Sequence, residues 1–198
     1  MSFLSQVPGI ELWEAATTDA LARLLTQTFE GEKPYGIVAI RYPSGGDNAR
    51  ILDFVSQSTI QSPCLGVTVD FDVEKPPKTL VVTYGRMTAS VLDAAEQSGE
   101  SVGVVLLERL QPQGDIVDLL AQACKRGVEK IVFCEEGIRS GSIGTGLSAA
   151  LCEALAPSCV PAIRILAIEQ DFPQGERGKT IRESAGLGVA NIIEAIRT

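Results

Sequence analysis

The sequence runs to 198 residues with 45% hydrophobic and 21% charged side chains, enough apolar text for a sizeable α/β core and too much for general disorder. No apolar run approaches the ~18–20 residues that a membrane helix needs, and MSFLSQVPGIELW lacks the basic-then-apolar layout of a secretion signal, so a cytoplasmic protein without membrane contact is expected. The formal net charge is −8, from 17 basic and 25 acidic residues; the basic ones are scattered, which argues against nucleic acid as a partner.

In chain order, IELWEA reads as a short strand. TTDALARLLTQTF follows as a helix with Leu21, Leu24, Leu25 and Thr28 on one face, and GIVAIRYP as a buried strand closed by Pro43 and a Ser-Gly-Gly turn. Strand, helix and strand make one crossover unit, too small to stand alone. Residues 1–46 are therefore read as a partial β-α-β unit. The polar and proline-rich text of 47–78 reads as a linker, with CLGVTV as a candidate strand inside it.

From residue 79 the alternation is regular. TLVVTY, SVGVVLLE, KIVFCEE and AIRILAIE read as strands, and TASVLDAAEQ, DIVDLLAQACKR, LSAALCEAL and ANIIEAIR as helices. Gly99 closes the first helix; Asp115 opens the second, which ends on Lys125, Arg126 and Gly127, charges that suit its dipole. The prediction for 79–198 is an α/β domain of three layers, a mostly parallel sheet with helices on both faces.

Chemistry-bearing residues are few. Histidine is absent, which removes imidazole as base or metal ligand. The five cysteines, Cys64, Cys124, Cys134, Cys152 and Cys159, show no paired spacing and read as reduced core residues. The stretch CEEGIRSGSIGTG, between a strand and a helix, has two readings. Gly141, Ser142, Gly144, Thr145 and Gly146 could wrap a phosphate while Glu135 or Glu136 accepts from a ribose. Alternatively the turn serves packing, because neither the dinucleotide fingerprint nor a P-loop lysine is present.

Several blocks carry a resemblance in order along nearly the whole chain. MSFLSQVPGIELWEA, a helix and VAIRYPSGG are similar to the end of the middle, pyrimidine-binding domain of the 1-deoxy-D-xylulose-5-phosphate synthases. LVVTYGRMTASVLDAAE, SVGVVLLERLQPQG, IVFCEEGIRSGSIGTGLSAAL and DFPQGERGKTIRESAGLGVANIIEAI are similar to the C-terminal domain shared by the transketolase superfamily. Transketolase itself and the beta subunits of 2-oxoacid dehydrogenases are the close alternatives, and a stand-alone nucleotide- or small-ligand-binding module is the remaining one.

The resemblance implies a portion of a larger enzyme, a split-gene subunit or an excised piece. Thiamine diphosphate and Mg2+ would sit on domains or a subunit other than this chain, which would hold no cofactor or metal and have no catalytic residue of its own. A homodimer and the thiamine-diphosphate-binding domain or subunit are the implied partners. The complete enzyme would join pyruvate to glyceraldehyde 3-phosphate in isoprenoid precursor synthesis. Arg41 matches an arginine that reaches the sugar phosphate, a role suited to a planar guanidinium fork; read without the family, it is a strand-end residue paired with a nearby acid. Glu135, Glu136, Gly141 and Gly144 match a block in which the glycines allow close packing and the acids hydrogen-bond across a domain or subunit junction. Gln174 stands where many relatives have histidine, and Thr180 reads as opening a short helix.

Overall fold

The computed structural model describes residues 3–30, 36–43, 45–58, 60–62, 66–169 and 180–198. The predicted crossover unit is present: β1 (Ile10–Glu14), α1 (Thr18–Glu30) and β2 (Ile37–Arg41) follow one another, and β1 and β2 pair in parallel from Ile10 opposite Ile37 to Glu14 opposite Arg41. The loop after β2 folds back on the helix. Asp47 accepts hydrogen bonds from the Thr18 N–H at 2.7 Å and its hydroxyl at 2.9 Å, covering donors that a helix start leaves open.

The buried stripe of α1 is narrower than its leucines imply. Ala20 and Leu24 are buried, whereas Leu25 is exposed. A sheet of three strands covers only one stripe of the helix, so the side chain 100° further round faces outward.

Residues 47–78 hold more structure than a linker. Helix α2 (Ala49–Gln57) starts at Asn48, whose side chain accepts from the Arg50 N–H, and buries Ile51 and Phe54. Strands β3 (Ile60–Ser62) and β4 (Val67–Val69) follow. The N-cap asparagine and the i, i+3 pair Ile51 and Phe54 carried this helix in the sequence.

The regular part follows the predicted alternation: β5 (Thr79–Tyr84), α3 (Met87–Ser98), β6 (Val102–Leu107), β7 (Arg109–Gln111), α4 (Gly114–Lys125), β8 (Lys130–Ile138), α5 (Ile143–Ala154), β9 (Ala162–Ile168), α6 (Ile181–Ser184) and α7 (Val189–Arg197). The large sheet has the order β3-β4-β6-β5-β8-β9. Its β6-β5-β8-β9 portion is parallel, and β4 and β3 add an antiparallel edge. Ile116, Leu120, Leu147 and Leu151 of α4 and α5 pack on one face with Leu80, Val82, Ile131 and Phe133. Ile51, Met87, Val91 and Ile192 of α2, α3 and α7 pack on the other with Val81, Val104 and Val132. The fold is thus α/β with helices on both faces of the sheet.

One strand crosses between the two parts. β7 leaves the large sheet directly after β6 and pairs antiparallel with β1, so the small sheet reads β2-β1-β7. Glu108, the residue between them, donates its N–H to the Gly66 carbonyl at 2.7 Å and accepts from the Glu14 N–H at 2.7 Å. Backbone bonds therefore tie the two sheets at one residue. Leu12 of β1 belongs to the same buried cluster as Val67, Leu107 and Leu110 and is fully buried. Leu12→Ala is expected to cost about 2–5 kcal/mol of stability, measured as a lower urea midpoint at an unchanged slope.

Candidate functional site at the carboxyl ends of the strands

Parallel α/β sheets place their ligand crevices outside the carboxyl ends of the strands, and there β1, β2, β5 and β8 present Glu14, Arg41, Tyr84, Glu135 and Glu136. Glu135 is buried and fully committed. Its Oε1 accepts from the Gly144 N–H at 3.0 Å, and its Oε2 accepts from the Ile143 N–H at 3.1 Å and the Tyr84 hydroxyl at 2.8 Å. A carboxylate in front of these amides occupies the place where an anion would bind. Burial, followed by the charge and hydrogen bond of Glu135, pushes the Tyr84 hydroxyl far above its usual range.

The glycine-rich turn is therefore satisfied from within. Ser142 caps α5, accepting from the Thr145 N–H at 3.2 Å, and the Thr145 hydroxyl donates to the Arg139 carbonyl at 3.0 Å. Gly141 turns with φ 70°. A Cβ on Gly144 would stand 2.8 Å from both the Glu135 Oε1 and the Phe133 Cβ, so the close approach of helix to strand requires glycine there. Glu135, expected to bond across a junction with another domain, is spent inside the chain because its 1% exposure leaves it nothing outside to reach. Glu136 pairs with Arg182 of α6 at 2.9 Å and stays partly exposed.

Arg41 lies where a strand-end pairing with an acid puts it, its Nη1 3.3 Å from the Glu14 Oε2. Glu14 is 4% exposed and its carboxylate rests on Gly85, where a Cβ would collide with it and φ is +59°, so that position also needs glycine. Burial pushes Glu14 up to about 7, against the pull of Arg41 and with a push from Glu136. Beside the cluster opens a cavity of about 630 Å³ whose walls include Arg86, Ser90, Glu136, Arg182 and Val189. A separate pocket of about 540 Å³ is lined in part by α2 and α3, and its Arg50 is held by Asp93 and Glu96.

Sequence reasoning missed Glu14, Tyr84, Arg86 and Arg182. The acid ending IELWEA and the tyrosine ending TLVVTY were the available signals, polar groups at the carboxyl ends of otherwise apolar strands. Cys124 and Cys134 are buried and free, as read, but Cys152 is exposed on α5. Burial pushes the Cys124 thiol up to about 11 and Cys134 higher still, so neither is a ready nucleophile. Cys64 and Gln174 lie outside the described residues. Thr180 does open α6: its hydroxyl accepts from the Glu183 N–H at 3.2 Å, and Glu183 accepts in return from the Thr180 N–H at 2.7 Å, a reciprocal cap. Among the described residues no helix is long and apolar enough to cross a membrane.

No family model and no curated protein matches the sequence. Solved structures do. A chain of a split-gene transketolase in an inactive beta4 tetramer superposes with a TM-score of 0.68 at 21% identity, over 99% of this chain and 59% of that one. The chain carries a transketolase-type fold. A transketolase from Campylobacter jejuni superposes with a TM-score of 0.64 at 11% identity, over 98% of this chain and 27% of that one. The chain thus spans less than two thirds of either relative, and the match agrees with the C-terminal-domain-like architecture expected from the sequence.

Two outcomes follow for the acids of the site. Glu135→Ala leaves three buried donors without an acceptor and is expected to cost about 3 kcal/mol or more, whereas Glu136→Ala, at a partly exposed pair, costs under about 1 kcal/mol; chemical denaturation compares them. For Glu14 the folded-state value lies above the ordinary 4.5, so its neutral form stabilises the fold. That contribution is complete below the unfolded value and is lost as pH rises through about 7. Glu14→Gln should therefore gain on the wild type by on the order of 3 kcal/mol between acid and mildly alkaline pH, read from unfolding free energies across that range.

Proposed function

We propose that this chain is the C-terminal part of a thiamine-diphosphate enzyme of the transketolase type, most closely a 1-deoxy-D-xylulose-5-phosphate synthase. The observation that carries the reading is the superposition over 99% of the chain on a split-gene transketolase chain. The ordered block resemblance, above all RYP at the end of β2, favours the synthase within that group.

Among the described residues no three or more His, Cys, Asp or Glu are grouped to hold a metal ion. No step through the cofactor is assigned to this chain. In the complete enzyme, thiamine diphosphate supplies the electron sink for decarboxylation and carbon–carbon bond formation. The role of this chain is to dock and to orient. Arg41, at the carboxyl end of β2 with a side chain 41% exposed, offers its remaining N–H donors to the phosphate of the acceptor aldehyde.

Docking has a surface to use. Phe29 at 81%, Ile37 at 58% and Leu25 at 40% are exposed on α1 and β2, and β2 is the edge strand of the small sheet among the described strands. Exposed apolar residues on a helix and the neighbouring edge strand are suited to contact with a second copy or the cofactor-binding portion.

Thiamine diphosphate with Mg2+ is expected to leave the melting temperature of this chain unchanged when added to it alone, and the chain should show no synthase activity. Activity should appear on adding the cofactor-binding portion; activity of the chain by itself would overturn the reading. In the reassembled enzyme Arg41→Ala should raise KM for the phosphorylated aldehyde by about 30–100-fold, the equivalent of about 2–3 kcal/mol for a lost charged hydrogen bond, and an unchanged KM would remove Arg41 from the site.

A further inference from the structure

Three carboxylates are buried in this protein among the described residues, Glu14, Glu108 and Glu135, and they differ in how they are satisfied. Glu135 accepts the three hydrogen bonds described above. Glu108 accepts from Arg23 at 2.6 Å. The Glu14 Oε2 is buried and accepts no hydrogen bond from any described residue; its compensation is the charge of Arg41 at 3.3 Å. A buried anion held only by an ion pair is an incomplete arrangement, since the desolvation of a carboxylate is offset fully only when its lone pairs are also taken.

Arg41 in turn is only half committed. Its side chain is 41% exposed while that of Glu14 is 6% exposed, so the guanidinium stands between a buried anion and the solvent. The rim around it is basic. The Nη1 of Arg86 would lie 3.3 Å from a Cβ on Gly45, in the loop that follows Arg41, and Arg86 has no ion-pair partner among the described residues. Arg182 stands across the cavity, paired with Glu136.

We propose that Glu14 is the resident counter-ion of Arg41, which a doubly charged oxyanion arriving from solvent displaces, Glu14 taking up a proton as it gives up the arginine. This rests on the reading of Arg41 as a phosphate ligand and adds the residue that positions it. The described groups facing Glu14 are Arg41 from β2, Tyr84 from β5 with its hydroxyl given to Glu135, and Glu136 from β8 with Arg182 beyond it. Burial and Glu136 favour the neutral acid, while Arg41 favours the anion. When Arg41 turns to an external dianion, its pull on Glu14 is divided and a second negative charge arrives nearby. Both changes favour the neutral acid, so one proton passes from solvent to the Glu14 carboxylate without any other bond changing. The result is an anion site that holds its own carboxylate when empty and admits an oxyanion of constant double charge more readily as pH falls.

Sulfate is the probe of choice, because its charge is constant across the neutral range where phosphate itself titrates. Titration calorimetry of the whole chain in two buffers of different ionisation enthalpy, at pH 7.5 and above, should show uptake approaching one proton per sulfate bound. Affinity should fall on the order of tenfold from pH 6.5 to 8.5. E14Q should bind sulfate without proton uptake and with the same affinity at both pH values, and R41A should not bind it. Failure of the wild type and E14Q alike to bind sulfate, or binding that R41A retains, would overturn the phosphate reading of Arg41. Binding that needs Arg41 but takes up no proton and keeps its pH response in E14Q would overturn the role of Glu14 alone. Should E14Q fail to fold, the proton count on the wild type decides by itself.

Discussion

A single carboxylate organises the carboxyl end of the large sheet. Glu135 sits on β8, neutralises the two amides at the start of α5, and receives the hydroxyl of Tyr84 from β5. Two adjacent strands and one helix are thereby fixed to a common point, buried from water, where a charge-assisted hydrogen bond is at its strongest. Without a side chain in that position, the helix start would need an anion from solution or would have to move outward to water.

The second organising feature is the junction between the sheets. The backbone of Glu108 carries bonds to both, and its side chain is buried against Arg23. With the sheets joined there, the ends of β1 and β2 come to lie over the turn after β5. Glu14 then meets Gly85, and Arg41 is brought to the same rim as Arg86 and Glu136. The site is thus built from two sheets, each incomplete without the other, and its polar groups are concentrated where their strands end.

Much of the fold was legible because the elements of 79–198 alternate with clear periods and carry their own stop signals, such as Gly99 and the Lys125–Gly127 end of α4. The segment 47–78 was less so. Its helix is only nine residues long, and its strands are three each, too short for periodicity to rise above polar neighbours. β7 was unreadable for another reason: RLQ has no strand pattern and is held in place by β1, about a hundred residues earlier, a tertiary preference over a local one. At the site, Arg41 and the pair Glu135 and Glu136 were visible as charges in apolar text. What Glu135 touches was not, since helix start, tyrosine and carboxylate lie on three elements. Glu14 was hidden because an acid at the end of a short strand looks like a solvent-facing residue until the second sheet covers it.

The antiparallel pairing of β7 with β1 sets an order of events during synthesis. β1 emerges from the ribosome with its crossover partner β2 close behind, yet its other edge stays bare until residues 109–111 have been made. β5, α3 and β6 precede β7 in the chain, so the large sheet can begin to assemble while β1 and β2 still wait for their third strand. Loop closure over that span is entropically slow to win, which makes the three-stranded sheet a late contact in the folding of this chain.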